Sequence, residues 1–547
     1  MFPFRLKLSS PSSQIWVLSD MISTLEQTTT PLRAVLEEWT RVVGADAILD
    51  AQQATEKFSP STTGVKRRIA GAVAPRSQEQ VAEIARIAAQ RGVKLHPIST
   101  GRNWGYGAAN PVHDNNFVLD LSGMNRILEF DEELGLVTVE PGVTQRQLSD
   151  YLIERDLPFM VPVHGGGPDC SLLGNAMQRG YGITPYADHF GALTTLQAVL
   201  TDGSIYKPTL TAMGCPRIDK AFKWGLGPYM DGMFTQGNLG IVTQATFALA
   251  MRPACVRAFV FQIKREEDLE PAVAAVQRIL RSLGSAVSSI NLMNDVRVLS
   301  MTTEFPADVL ASGGTLTEEH LRPLRKQHDV THWTGVGALY VDAPMLRGAK
   351  RIIRQALRDV ASVHFMGERE LRWGDRLTRL LPAVPVKARL RKRLEQMSTF
   401  LKMMNGVPQS LALPLAYWKS GQRPPAGQAM NPARDGCGLM WYSPLVPMTP
   451  IDCRCYVDMV RETCLAHTID PLITLTSVSD RCFDSTVPLL FDRQSSSKTA
   501  QAETCYNALF SNGRELGFLP YRVSVKQMDV ALDVMANVVP LRSKTLY

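Results

Sequence analysis

The chain has 547 residues, 45% of them hydrophobic and 20% charged, with a net charge of +7. That balance excludes disorder over most of the length, and so mild a charge on so long a chain speaks for a solvated surface rather than a nucleic-acid partner. At about 150 residues per domain, the length holds three to four domains' worth of core.

The nine cysteines are odd in number and scattered, with Cys453-Arg-Cys455 as the one close pair. No C-x-x-C is matched by histidines at ligand spacing, so no metal site is expected, and reduced thiols fit a cytoplasmic protein. No run of 18 apolar residues occurs, so no membrane-spanning helix is expected. The apolar patch Ile15–Leu18 is too short for a signal-peptide core, and Met21 is a candidate start after a disordered extension.

Taken in order, Leu32–Val42 reads as a helix followed by polar loop. Ser77 and Gln80 stand at capping-box spacing before a helix whose apolar face is Val81, Ile84, Ala85 and Ala88, closed by Gly92. The strand Val93–Ile98 then enters Ser99-Thr-Gly-Arg-Asn-Trp-Gly-Tyr-Gly107. Gly101, Gly105 and Gly107 allow backbone N–H groups to approach an anion, and Arg102 adds charge suited to a diphosphate. Tyr106 is a polar aromatic that such a loop does not need for its own sake. A strand over 116–121, a hairpin from Ile127 to Val143 and the helix Gln145–Asp156 follow, which is an α+β module of short strands.

Val161–Asn175 is dense in turn residues, Leu196–Tyr206 is a hairpin turning at Asp202-Gly203, and Trp224–Thr243 is a second glycine-rich run ending in a strand. Around Pro253 the texture changes to strands and helices in alternation, Arg257–Ile263, Pro271–Leu283, Val287–Leu292, Gly337–Asp342 and Gly348–Val363. A domain boundary therefore falls near 255. Residues 371–403 are helical and basic with a break at Pro382 and Pro385. They read as a solvated face over leucines, with an anionic membrane or acidic partner as the alternative. Strands at Gly438–Tyr442, Leu472–Thr476 and from Phe483, and helices at Ile451–Ala466 and Thr499–Leu516, complete the chain.

Several stretches together resemble the flavoprotein family of vanillyl-alcohol oxidase and the 4-cresol dehydrogenase flavin subunit. They are Pro97-Ile-Ser-Thr-Gly-Arg-Asn-Trp-Gly-Tyr-Gly, Gly174-Asn175 with Arg179-Gly and Thr184-Pro-Tyr-Ala-Asp-His, Gly227–Thr243, Met440-Trp-Tyr-Ser-Pro, Phe491-Asp-Arg and Gly517-Phe-Leu-Pro-Tyr-Arg. The resemblance implies an α+β, two-domain FAD-binding fold with an α/β substrate-capping domain. Residues 1–60 would be an N-terminal extension and helix, 61–255 the FAD-binding domain, 256–505 the cap, and 506–547 a segment returning to the FAD domain.

The resemblance also implies roles. Pro97, Thr100, Gly101, Arg102, Asn103, Gly174, Asn175, Thr184, Ile241 and Val242 would hold FAD. Tyr106, Tyr521 and Arg522 would bind a phenolic oxygen as its anion, since a guanidinium and phenol donors in a dry pocket favour the charged form. Asp169 would be the carboxylate beside the flavin, with His164 as the competing choice. Members that tether FAD through a histidine carry it where this chain has Asp484 and Ser485, so non-covalent FAD is expected, with Tyr417 the alternative tether. The implied reaction is oxidation of a para-substituted phenol, with oxygen or a cytochrome as acceptor, in a homo-oligomer with no membrane or nucleic-acid partner. The alternatives are oxidation of another alcohol or a 2-hydroxy acid, or a degenerate flavin-binding protein with an interaction role. The C-terminus, Lys544-Thr-Leu-Tyr547, lacks the family's usual ending.

Overall fold

The computed structural model describes residues 32–380 and 385–531. Met21, the extension before it, Pro382 and the C-terminal ending lie outside the described residues. The first helix, 32–43, buries Val35 and Trp39, the indole meeting Phe117 edge-on at 4.9 Å. A short helix, Ala51–Phe58, occupies what periodicity reads as polar loop. It buries Ala54 and Phe58 and is held by its Asp50 cap, which accepts from Gln53 N at 2.8 Å. Two buried positions in eight are too few to show a period, so local capping rather than patterning makes this helix.

Three sheets organise the chain. The first has four strands, β1 (Ile48–Leu49), β2 (Gly71–Val73), β3 (Leu95–Ile98) and β4 (Phe117–Asp120), in the order β1-β2-β4-β3. β3 and β4 run parallel and are joined through the glycine-rich loop. The helix Gln78–Arg91 covers this sheet, capped by Ser77 and ended by Gly92 in the left-handed region at φ +64°. The second sheet combines β5 (Ile127–Asp131), β6 (Leu136–Val139), β8 (Leu193–Leu200), β9 (Ile205–Tyr206) and β10 (Gly240–Ala248), all antiparallel, in the order β5-β6-β10-β8-β9. A small pair, β7 (Phe159–Met160) with β11 (Ala250–Met251), flanks it.

From Cys255 on, eight strands form one antiparallel sheet: β12 (Cys255–Ile263), β13 (Val287–Asn294), β14 (Trp333–Val341), β15 (Val363–Met366), β16 (Cys437–Pro447), β17 (Thr474–Ser477), β18 (Cys482–Asp492) and β19 (Pro520–Arg522). Their order is β15-β12-β14-β13-β17-β18-β16-β19. Strand alternation gives this sheet two unlike faces. One carries Phe259, Phe261, Ile290, Leu292, Leu475, Phe483 and Val487, all 0% exposed, under helices Leu269–Leu283, Ala343–Leu357, Pro450–Ala466 and Ser496–Leu516. Gly335 and Gly337 lie opposite Phe261 and Phe259, and a Cβ at Gly335 would sit 2.0 Å from the Phe261 ring.

The other face is polar and turned toward the amino-terminal half: Asn291, Thr474, Thr476, Asp484, Thr486, Ser443 and Arg522. The register sets this, with Asn291 opposite Thr476, Thr476 opposite Asp484, Leu445 opposite Asp484, and Ser443 opposite Arg522. Contacts between the halves include Met160 with Ala338 and Tyr340, and Ser288 Oγ donating to Ile183 O at 2.6 Å. The basic stretch forms helices Glu368–Leu380 and Pro385–Met404, and its end is tied down where Tyr340 donates to Met404 O at 2.9 Å.

The glycine loop is locked beneath β16. Trp441 N donates to Gly105 O, Gly105 N donates to Thr62 Oγ1 at 2.8 Å, and a Cβ at Gly105 (φ +76°) would lie 2.1 Å from the Trp441 indole. Gly105→Ala should therefore destabilise the chain by about 1–3 kcal/mol through overpacking and a strained φ. A melting temperature equal to wild type would show that the loop and β16 are not so closely docked.

Candidate active site

The strand β3 ends at Ile98, and Gly101 at φ +65° turns the chain into the loop. Among the described residues, none of the N–H groups of Thr100, Gly101, Arg102 and Asn103 meets a protein acceptor. Four consecutive free donors at a glycine turn form an anion cradle of the kind a diphosphate occupies. The cradle is braced from Val161–Asn175: Trp104 Nε1 donates to Gly166 O at 3.0 Å, and Gln145 Nε2 to Gly167 O at 2.9 Å.

Three residues far apart in sequence meet at the loop's far end. Tyr106 OH and Ser443 Oγ are 2.7 Å apart, and the Arg522 guanidinium lies 4.1 Å from the centroid of the Tyr106 ring. Arg522 also donates to Asn103 Oδ1, while its Nε is buried without a partner. No carboxylate stands within 4.0 Å of this guanidinium among the described residues. Asp484, 4% exposed and with Oδ1 unpartnered, is a buried acid that feels this charge. Burial raises the Asp484 carboxyl to about 8 despite the pull of Arg522. At neutral pH Asp484 is therefore mostly a neutral acid, and Arg522 keeps an uncompensated charge.

Tyr521 packs its ring edge-on against Tyr181 at 5.7 Å, and burial, then the charges of Asp484 and Tyr106, push its hydroxyl well above the ordinary range. Burial likewise raises Tyr106, with Arg522 and the Ser443 hydrogen bond opposing. His164 accepts from Gly166 N at 3.2 Å through Nδ1, which places its proton on Nε2, a buried atom without a partner. Burial and then the Arg522 charge lower His164 to about 4, so it is a neutral donor near the arginine.

The structure thus gathers Tyr106, Tyr521 and Arg522, and it draws in Asp484 and Ser443, which motif matching did not assign to the site. The Asp169 carboxylate lies 3.0 Å from Arg146 and 3.4 Å from Arg102, the arginine of the glycine loop, while Asp484 is the buried acid that feels Arg522. Tyr417 donates to Asp435 Oδ2 at 2.6 Å. Asn175 sits on the helix Leu172–Met177 with Nδ2 2.6 Å from His189 Nδ1, and Thr184 Oγ1 accepts from Val163 N. Gly174 lies against Ser99, Ile241 and Val242 pair with Val199 and Ala198, and Pro97 is exposed on the edge strand β3. Alternation along β18 is the one sequence signal that could have found Asp484, since an acid flanked by Phe483 and Ser485 must face the other side.

Residues 69–208 match the FAD binding domain family. The chain is 34% identical over 502 residues to 1'-carboxy-chondrochloren decarboxylase of Chondromyces crocatus, covering 91% of each. It is 28% identical over 458 residues to the 4-cresol dehydrogenase [hydroxylating] flavoprotein subunit of Pseudomonas putida, covering 84% of this chain and 81% of that one. The crystal structure of substrate-bound p-cresol methylhydroxylase superposes with a TM-score of 0.80 at 25% identity over 92% of both chains. A 4-ethylphenol oxidase from Gulosibacter chungangensis shares the fold, with a TM-score of 0.79 at 22% identity over 92% and 91% of the two chains. Fold, cradle and relatives agree on a flavin-dependent oxidoreductase that uses FAD. The chain belongs to the vanillyl-alcohol oxidase and p-cresol methylhydroxylase family of flavoproteins. No helix among the described residues is long and apolar enough to cross a membrane.

The raised Asp484 carboxyl has a consequence for stability. Between about pH 4, the unfolded value, and about pH 8, the folded chain holds a proton that the unfolded chain releases, so stability falls as pH rises through that window. Asp484→Asn removes this loss. Its melting temperature relative to wild type should climb from pH 4 to pH 8 and then level off; a difference that stays flat across the window speaks against a protonated Asp484.

Proposed function

We propose that this enzyme oxidises a para-substituted phenol, a 4-alkylphenol or 4-hydroxybenzyl alcohol, bound as its phenolate. The observation that carries the reading is the half-buried Arg522 guanidinium, laid against Tyr106, with its Nε–H buried and free and no ionised acid beside it. Such a charge is costly to bury alone and is balanced best by an anionic ligand. A phenolate accepts charge-assisted hydrogen bonds from Arg522 and from the hydroxyls of Tyr106 and Tyr521, which lowers the phenol's own pKa from about 10. The phenolate pushes electron density to the para position and weakens the benzylic C–H bond. FAD, when bound, supplies the two-electron acceptor.

The residues divide the work. Arg522 and the two tyrosines hold the oxygen and fix the ring, and the resulting p-quinone methide is resolved by water or by loss of a further proton. A protonated Asp484 leaves the arginine's charge for the substrate. FAD would lie with its diphosphate over Thr100–Asn103, and Pro97, Gly174, Asn175, Thr184, Ile241 and Val242 would line the remainder. Without a histidine at 484 or 485, and with Tyr417 engaged by Asp435, FAD is held non-covalently. Oxygen or a cytochrome takes the electrons onward.

A second reading has its own support. The 34% identical relative is named a decarboxylase, and the same phenolate activation serves a substrate with a carboxylate on its para side chain: after two-electron oxidation the quinone methide takes up the electron pair of the bond to the carboxyl group, which leaves as carbon dioxide. Product analysis with a carboxyl-bearing phenol separates the two.

Arg522→Ala should lower kcat/KM for 4-alkylphenols by about 30- to 1,000-fold, the range for losing one side of a buried charge pair, while the flavin spectrum is retained. Kinetics equal to wild type remove the phenolate site. On acid precipitation the yellow colour should stay in the supernatant; a yellow pellet establishes a covalent flavin instead.

A further inference from the structure

A second arginine, this one buried, lies along the polar face of the large sheet. Arg297, on the helix Asp295–Thr302 that follows β13, is 7% exposed. Its Nε donates to Thr474 Oγ1 at 3.2 Å, and its Nη1 is buried with no partner. It makes no ion pair among the described residues, and burial alone lowers it to about 10. The acid next to it in sequence, Asp295, is spent on Arg325 at 2.7 Å. A desolvated guanidinium held by one hydroxyl is unusual unless a ligand completes it.

Sheet register ties this arginine to the first one. Thr474, which holds Arg297, lies opposite Thr486; the pairs Tyr442–Val487 and Leu445–Asp484 set Ser443 opposite Thr486; and Ser443 lies opposite Arg522. Thr474, Thr486, Ser443 and Arg522 therefore form one cross-strand row on one face. Three strand spacings separate its ends, about 14 Å between backbones. A phenol ring bearing a short acidic chain is shorter than that row, and a long side chain at each end makes up the difference.

We propose that Arg297 binds an anionic group, a carboxylate, on the para substituent of the substrate, opposite the oxygen held by Arg522. The proposal rests on the phenol reading for the ring and narrows it to 4-hydroxyphenyl carboxylic acids. Asn291, whose Oδ1 is also buried and unpartnered on this face, stands in the neighbouring row opposite Thr476.

The test uses flavin difference spectra of the holoenzyme with three probes: 4-hydroxyphenylacetate, 4-ethylphenol and phenylacetate. Wild type should bind 4-hydroxyphenylacetate more tightly than 4-ethylphenol, a comparison that needs no variant. Arg297→Gln should weaken 4-hydroxyphenylacetate by about 10- to 100-fold, the worth of a charge-assisted hydrogen bond, and change 4-ethylphenol less than about threefold. Arg297→Lys should recover part of the loss. Equal weakening of all three probes, or of none, overturns the proposal, as does a wild-type preference for 4-ethylphenol. If neither phenol binds yet phenylacetate binds in an Arg297-dependent way, the phenol reading fails and the anion site stands.

Discussion

The site depends on one contact, the Arg522 guanidinium laid on the Tyr106 ring with Ser443 holding the tyrosine hydroxyl. It joins a loop of the amino-terminal half to the edge of a sheet assembled some 340–420 residues later in the chain. A half-buried cation over an aromatic face gains from the ring's negative potential, but that gain is below the cost of desolvating an unpaired charge. The arrangement makes physical sense as half of an interaction, the other half being an anion that enters from outside. Asp484 sharpens this. An ionised carboxylate there would complete the pair internally, and burial keeps it protonated instead.

The two faces of the eight-stranded sheet separate stability from chemistry. One face is sealed by four helices and a continuous apolar core, so the strands cannot slip by a residue without burying polar side chains and exposing phenylalanines. That rigid register is what places Ser443, Asp484 and Arg522 together on the opposite face. Four of the buried polar atoms left without partners, Asp484 Oδ1, Asn291 Oδ1, Arg297 Nη1 and Arg522 Nε, accompany that face. Orphaned polar groups in a well-packed protein are affordable where a ligand completes them.

Much of the backbone was legible in the chain. The helix Gln78–Arg91 announced itself by cap, period and terminal glycine, and the hairpin β8–β9 by Asp202-Gly203. The short helices Ala51–Phe58 and Asp295–Thr302 were not legible, because each is about two turns long and is set by a capping side chain and by packing. The family resemblance rested on glycine-rich stretches whose spacing encodes close backbone approach, and the similarity to solved structures accords with it. Tyr106, Tyr521 and Arg522 could be named from motifs because their types and neighbours are distinctive.

What the sequence by itself determined is local: where the chain turns, which strands alternate, and that a cradle of free N–H groups follows β3. Only the tertiary structure decided how charges pair. Asp169 stands in a glycine run, and only the fold brings Arg102 and Arg146 to it; Asp484 reads as a strand residue, and only burial beside Arg522 raises its carboxyl. The physical reason is that a side chain's protonation and availability depend on solvent exclusion and on charges within a few ångströms, and those neighbours come from distant parts of the chain. Arg297 and Arg522 lie 225 residues apart in sequence, yet a single cross-strand row joins them.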